Sequence, residues 1–241
     1  MKLDGDNKKH LPLIKFFSSK KSLVVATNEA SRASIRGLFR DLQVPSQSIF
    51  VAESYKDAEK IIKENQPEII ISEYDIGDSD GLSLLDFHIQ QFPNRIETVF
   101  CLISDIVNPA IYSEISSQAI DLHFSPPIIP AALGKNIVEI SSKKMTGGEY
   151  LSDLEQGKAL FRQGKDVDAI EVLQKAKEEG PSNTSMPSYF QGLIYHKRKM
   201  NPEATQSYME GLKLEPHNFN CLNGLLDILI EENSGRLPSR S

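Results

Sequence analysis

Five short runs rich in β-branched and apolar residues, at 23–26, 48–52, 68–72, 98–103 and 120–124, recur through the first 143 residues of this 241-residue chain. Helix-period segments separate them. Ile35, Leu38, Phe39 and Leu42 fall at i, i+3, i+4 and i+7, which puts one apolar stripe on one helix face. Ala58, Ile61 and Ile62 do so more briefly, and Leu82, Leu85, Phe87 and Ile89 mark a noisier third helix. Pro130 opens the last helix, at a first-turn position where its missing N–H costs nothing. Strands alternating with helices predict an α/β doubly wound, five-stranded parallel sheet. Ligands of such a sheet sit outside the carboxyl ends of its strands. The third run ends there in Glu73, followed by an acidic, glycine-bearing loop that closes at Asp80-Gly81.

The second half repeats. Gly157 recurs as Gly192, Ala169 as Ala204, Ala176 as Gly211 and Pro181 as Pro216, each 35 residues on. Small residues at fixed positions let two antiparallel helices approach closely, and the proline stops the second. The extra residue between units is expected within 180–184. One more helix is predicted over 219–232, with Leu222, Leu225, Leu226 and Leu229 on one stripe and Ile228 and Ile230 widening it. A terminal helix ordinarily has a polar outer face; this one is expected to continue an array or to dock on the first half of the chain or on a second copy.

The domain plan that follows is a basic arm at 1–20, an α/β domain at 21–143, a linker at 144–149 with two glycines, an all-α helical-repeat domain at 150–233 and a disordered tail at 234–241. Net charge is −6, unsuited to bulk attraction of nucleic acid. Residues 1–21 nonetheless hold six lysines against two aspartates and are expected to form a solvated, mobile arm, with a membrane or nucleic-acid tether as the alternative. Cys101 and Cys221 lie far apart with no ligand-spaced neighbour, which suits reduced thiols and a cytoplasmic location. No apolar run has the length of a membrane span.

Residues 22–141 resemble the CheY-like receiver domain of bacterial two-component signalling. The spacing matches from Leu23 to Leu42 and from Ile70 to Gly81, with Asp80-Gly81-Leu82 at the family's distance from Glu73. The resemblance implies strand order 2-1-3-4-5. It also implies a phosphorylation pocket, and there this chain departs from the family. The acidic pair that holds Mg²⁺ falls on Ala26 and Thr27, the phosphoacceptor on Glu73 and the pairing lysine on Ser125; the sensing hydroxyl is kept as Ser104. No cofactor is therefore expected and Mg²⁺ is not expected to bind. Glu73 is either a remnant in a decayed pocket or a fixed charge that imitates a phosphorylated aspartate. Asp75, Asp78, Asp80 and Asp105 are expected at the same rim as solvated loop acids.

Residues 150–183 and 185–218 resemble two tetratricopeptide repeats, which implies a peptide-binding groove. By register the groove would include Leu154, Lys158, Phe161 and Arg162 from the first unit, and Tyr189, Leu193, His196 and Lys197 from the second, the cations standing clear of the core. Together the resemblances imply a pseudo-receiver joined to a protein-binding module: a non-enzymatic scaffold of a bacterial phosphorelay-type pathway. Its partners would be proteins or peptides, bound at the groove and at a receiver face over 108–143, with a homodimer possible and no nucleic acid. The alternative is a phosphorylation-dependent response regulator that uses Glu73 or Asp75 as acceptor.

Overall fold

The computed structural model describes residues 2–8, 10–105, 109–116, 119–181 and 184–234. The chain divides into two compact units, Met1–Thr146 and Gly147–Ser241. In the first, strands β1 (Ser22–Val25), β2 (Ile49–Ala52), β3 (Ile69–Glu73), β4 (Val99–Ile103) and β5 (Leu122–Phe124) form one parallel sheet in the order β2-β1-β3-β4-β5. This is the expected α/β doubly wound architecture. Side chains alternate across each strand, so a strand covered on both faces needs an unbroken apolar run. Val24, Ile69, Ile71, Val99 and Cys101 pack against Ile35, Leu38 and Phe39 of α2 (Glu29–Asp41) and Leu133 and Ile137 of α6 (Pro130–Thr146). Leu23, Val25, Ile70, Phe100 and Leu102 face the other way, onto α3 (Tyr55–Asn65), α4 (Gly81–Gln91) and α5 (Pro109–Ser116).

Three helices start at the carboxyl edge of the sheet behind side-chain caps. The Asn28 amide oxygen accepts from the N–H groups of Ala30 and Ser31, the Ser54 hydroxyl from Asp57 and the Asp80 carboxylate from Ser83. The glycine after Asp80 has its own cause. A Cβ at Gly81 would lie 2.5 Å from Leu102 Cδ1 and 2.8 Å from the Glu73 carbonyl oxygen, so the Asp80-Gly81 pair reflects close approach of α4 to the tip of β3.

Two boundaries differ from the sequence expectation. Residues expected as a solvated arm are folded. Leu11–Ser18 form a helix, α1; Phe17 and Leu3 are buried in the core beside Ile137 and Val138, and the Leu3 N–H donates to the Asp41 carbonyl at 2.9 Å. The apolar residues interrupted by Lys15 and Pro12 are one face of a short helix rather than a broken run. Lys20 is buried too, with Nζ 2.6 Å from Glu97. The expected linker at 144–149 is also mostly helix. α6 continues to Thr146 and α7 begins at Gly148, leaving Gly147 between them. The cause is a buried charged cluster. The Asp121 carboxylate meets Arg95 Nη2 at 2.7 Å and Lys144 Nζ at 2.5 Å, and accepts the Phe100 N–H at 2.7 Å. Lys144 Nζ also donates to the carbonyls of Arg95 (3.0 Å) and Thr98 (2.5 Å), which fixes the last turns of α6.

The second unit contains α7 (Gly148–Arg162), α8 (Asp166–Glu179), α9 (Met186–Lys197), α10 (Asn201–Leu214) and α11 (Phe219–Ser234). α7 pairs with α8 and α9 with α10, while α11 packs on α10. The 35-residue register holds in the packing: a Cβ at Gly157 would meet Leu173 Cγ at 2.7 Å, and one at Gly192 would meet the Tyr208 ring at 2.5 Å. Asn218 starts α11, its side-chain oxygen accepting the Cys221 N–H at 2.9 Å. The predicted single stripe of α11 divides into two. Cys221 and Ile228 are buried with Leu225 packed beside them, whereas Leu222, Leu226, Leu229 and Ile230 are exposed. Residues 182 and 183, where an extra residue was expected, and 235–241, read as a disordered tail, lie outside the described residues. Among the described residues no helix is long and apolar enough to cross a membrane.

Candidate functional site

Sheet register builds the first site. β1 and β3 run side by side with Val25 opposite Ser72, and β3 pairs with β4 so that Glu73 lies opposite Ile103. Thr27, Glu73 and Ser104 therefore emerge together at the carboxyl edge. They line a cleft of about 530 Å³ with Ser31, Ser34, Asp75, Asp105 and Pro126-Pro127-Ile128. Ala26 is buried at the end of β1 and Ser125 is exposed; neither lines the cleft.

The Glu73 carboxylate is turned toward β1. Its Oε2 accepts the Thr27 N–H at 3.1 Å and sits 3.5 Å from Thr27 Oγ1, so the backbone donor carries the contact. Ser104 is nearly buried, and its N–H donates to the Phe124 carbonyl at 3.1 Å, fastening the ends of β4 and β5.

A residue that sequence reasoning missed completes the arrangement. Arg32, on the first turn of α2, reaches back to the tip of β1. Its Nη1 donates to the carbonyls of Ala26 and Thr27, each at 2.8 Å, and its Nη2 pairs with Glu53 at 2.9 Å. The signal was available: Arg32 stands one helical turn after the Asn28 cap, within reach of the strand it follows.

These residues do not fit the Mg²⁺ that an active receiver requires. The ion takes oxygen ligands, usually with one or two carboxylates. Ala26 and Thr27 supply no carboxylate, and a guanidinium is fastened to their carbonyls. Three of the nearby acids have structural duties: Asp75 accepts the Gly77 N–H, Asp78 the Tyr55 N–H and Asp80 the Ser83 N–H. Among the described residues no group of three or more His, Cys, Asp or Glu side chains is placed to hold a metal ion.

The second candidate site, the helical groove, is only partly assembled. Leu154, Lys158 and Tyr189 are buried and do not line an open surface. The burial of Lys158 contradicts the expectation that it stands clear of the core. Its Nζ lies 2.6 Å from Glu155 and 5.5 Å from the centre of the Phe190 ring, so an i, i+3 ion pair and an aromatic face compensate the charge. Phe161, Arg162, Leu193 and His196 are half-buried and Lys197 is exposed. Lys197 Nζ stands 4.9 Å over the Phe161 ring and 3.7 Å from Asp166, which ties the ends of α7 and α9 together. His196 Nε2 faces Glu231 of α11 at 3.3 Å. A second cleft, of about 580 Å³, was not anticipated; Gln174 and Lys177 of α8, Gln191 and Tyr195 of α9 and Gln206 and Glu210 of α10 line it.

No protein-family model matches the chain, and no curated protein does. Among solved structures it is similar to a signal receiver domain from Vibrio parahaemolyticus, at 19% identity over 52% of this chain and 92% of that one, with a TM-score of 0.44. It is similar to the receiver domain of a signal-transduction histidine kinase from Syntrophus aciditrophicus, at 15% identity over 51% and 90%, TM-score 0.43. The N-terminal domain of a protein from Wolinella succinogenes gives 17% identity over 53% and 98%, TM-score 0.43. The likeness to the two receiver domains covers about half of the chain.

Proposed function

We propose that this chain is a non-enzymatic signalling adaptor of a bacterial two-component-type pathway: a pseudo-receiver joined to two tetratricopeptide-like repeats. One observation carries the reading. The tip of β1, where the resemblance puts the acidic pair of a receiver, carries Ala26 and Thr27, whose carbonyls accept from Arg32, and Glu73 is drawn onto the Thr27 N–H. A carboxylate engaged by a neighbouring backbone donor is a poor in-line nucleophile. Of the two roles left open for Glu73, a remnant in a decayed pocket is favoured over a phosphate mimic, because the hydrogen bond at its carboxylate comes from the Thr27 N–H.

On this reading the output is protein binding. The accessible part of the helical groove is Phe161, Arg162, Leu193, His196 and Lys197; the receiver face over 108–143, which exposes Ile129, is the second docking surface. The test is incubation with Mg²⁺ and a small phosphodonor, read by intact mass. No phosphoryl gain is expected. A gain that disappears in Glu73→Ala or Asp75→Ala would establish the phosphorylation-dependent alternative.

A further inference from the structure

The exposed face of α11 carries four large apolar side chains. Leu222, Leu226, Leu229 and Ile230 are each about half exposed, at 48%, 52%, 55% and 53%. The i, i+4, i+7 and i+8 spacing of these residues is the contact pattern of a helix laid along a helix.

Charge selects the occupant. Phe219–Ser234 contains Asp227, Glu231 and Glu232 and no Lys or Arg. Glu231 is matched by Lys199 at 3.2 Å and by His196. Among the described residues Asp227 and Glu232 have no cation within ion-pair reach. A second copy packed α11 against α11 would set acid rims against each other, whereas a helix with basic flanks would meet complementary charge.

We infer that α11 is a docking surface for a cationic amphipathic helix of a partner protein, which lays its apolar stripe on Leu222, Leu226, Leu229 and Ile230 and its Lys or Arg residues beside Asp227 and Glu232. The inference stands apart from the state of the Glu73 pocket.

The test uses the full chain and two synthetic amphipathic helices, one of leucine and lysine and its leucine–glutamate counterpart, in fluorescence anisotropy. The lysine peptide saturates, and the glutamate peptide binds at least tenfold more weakly. Leu226→Glu weakens the lysine peptide at least tenfold with the circular dichroism melt unchanged. Asp227→Lys/Glu232→Lys weakens it several-fold and reduces its salt sensitivity. Val167→Ser, which removes an exposed apolar residue of α8, has no effect. Equal binding of both peptides, or insensitivity to Leu226→Glu, overturns the proposal. So does concentration-dependent self-association that Leu226→Glu abolishes, since the occupant is then a second copy.

Discussion

Replacing Gly192 by alanine tests whether the helical unit is built in the 35-residue register. The added methyl would lie 2.5 Å from both Cδ1 and Cε1 of Tyr208. The ring has little room to retreat toward α11, because a Cβ at Gly224 would meet its Cζ at 2.5 Å. Tyr208 therefore fills a slot between two glycines, and it is almost wholly buried. Overpacking of this kind costs about 1–3 kcal/mol, and a ring held on both sides belongs at the upper end. Exchanging glycine for alanine inside a helix returns about 1 kcal/mol. The net for Gly192→Ala is a loss of about 2 kcal/mol. At the equivalent Gly157 the neighbour is the buried Leu173, whose Cγ would lie 2.7 Å from the added methyl and does not move when the branched end rotates, so Gly157→Ala is expected to lose about 1–2 kcal/mol. Urea titrations followed by circular dichroism measure both. Tyr208→Leu, combined with Gly192→Ala in a double-mutant cycle, should show coupling of about 1–2 kcal/mol. A neutral Gly192→Ala would refute the packing argument.

Three further outcomes follow from the first unit. Asp121→Asn leaves Arg95 and Lys144 buried without their counter-charge, and should destabilise the chain by about 3–5 kcal/mol in urea titration. Burial works against ionisation of Asp121, but Arg95 and Lys144 outweigh it and hold its pKa below the usual carboxylate range, so this contribution is complete at neutral pH and fades only in acid. His88 is buried in α4 and its Nε2–H donates to the Pro67 carbonyl at 3.1 Å; burial, with help from Arg95, lowers its pKa to about 3. The neutral ring thus contributes full stability above about pH 6.5, and that contribution drains away as pH falls toward its folded value, at up to about 1.4 kcal/mol per pH unit. Urea midpoints at pH 7.5 and 4.5 should differ less in His88→Phe than in the wild type. Glu73→Ala frees the N–H of an exposed Thr27, which water can satisfy, so its thermal midpoint should correspond to a loss below about 1 kcal/mol.

The architecture was legible because both signals that define it are local. Strands buried on two faces read as unbroken runs such as Ile69-Ile70-Ile71, and close helix pairs leave glycine and alanine at one register. What escaped depends on long-range partners. Arg32 looks like a surface residue until its reach to the β1 carbonyls is known. Lys158 looks like a groove cation until Glu155 and the Phe190 ring are placed around it. Lys144 looks like the start of a linker until Asp121, distant in sequence, meets it. The N-terminal segment departs from expectation for a similar reason: its lysines suggest solvent, but Leu3 and Phe17 complete the sheet's core. At the site, Thr27, Glu73 and Ser104 line one cleft, while Ala26 and Ser125 lie off it.

The most direct test of a pocket closed to metal and phosphoryl chemistry is an amide NMR titration of the full chain with Mg²⁺ and then beryllofluoride. The resonances of Thr27, Glu73 and Ser104 are expected to stay where they are at millimolar additions. Saturable shifts at those three amides, absent in Glu73→Ala, would contradict it.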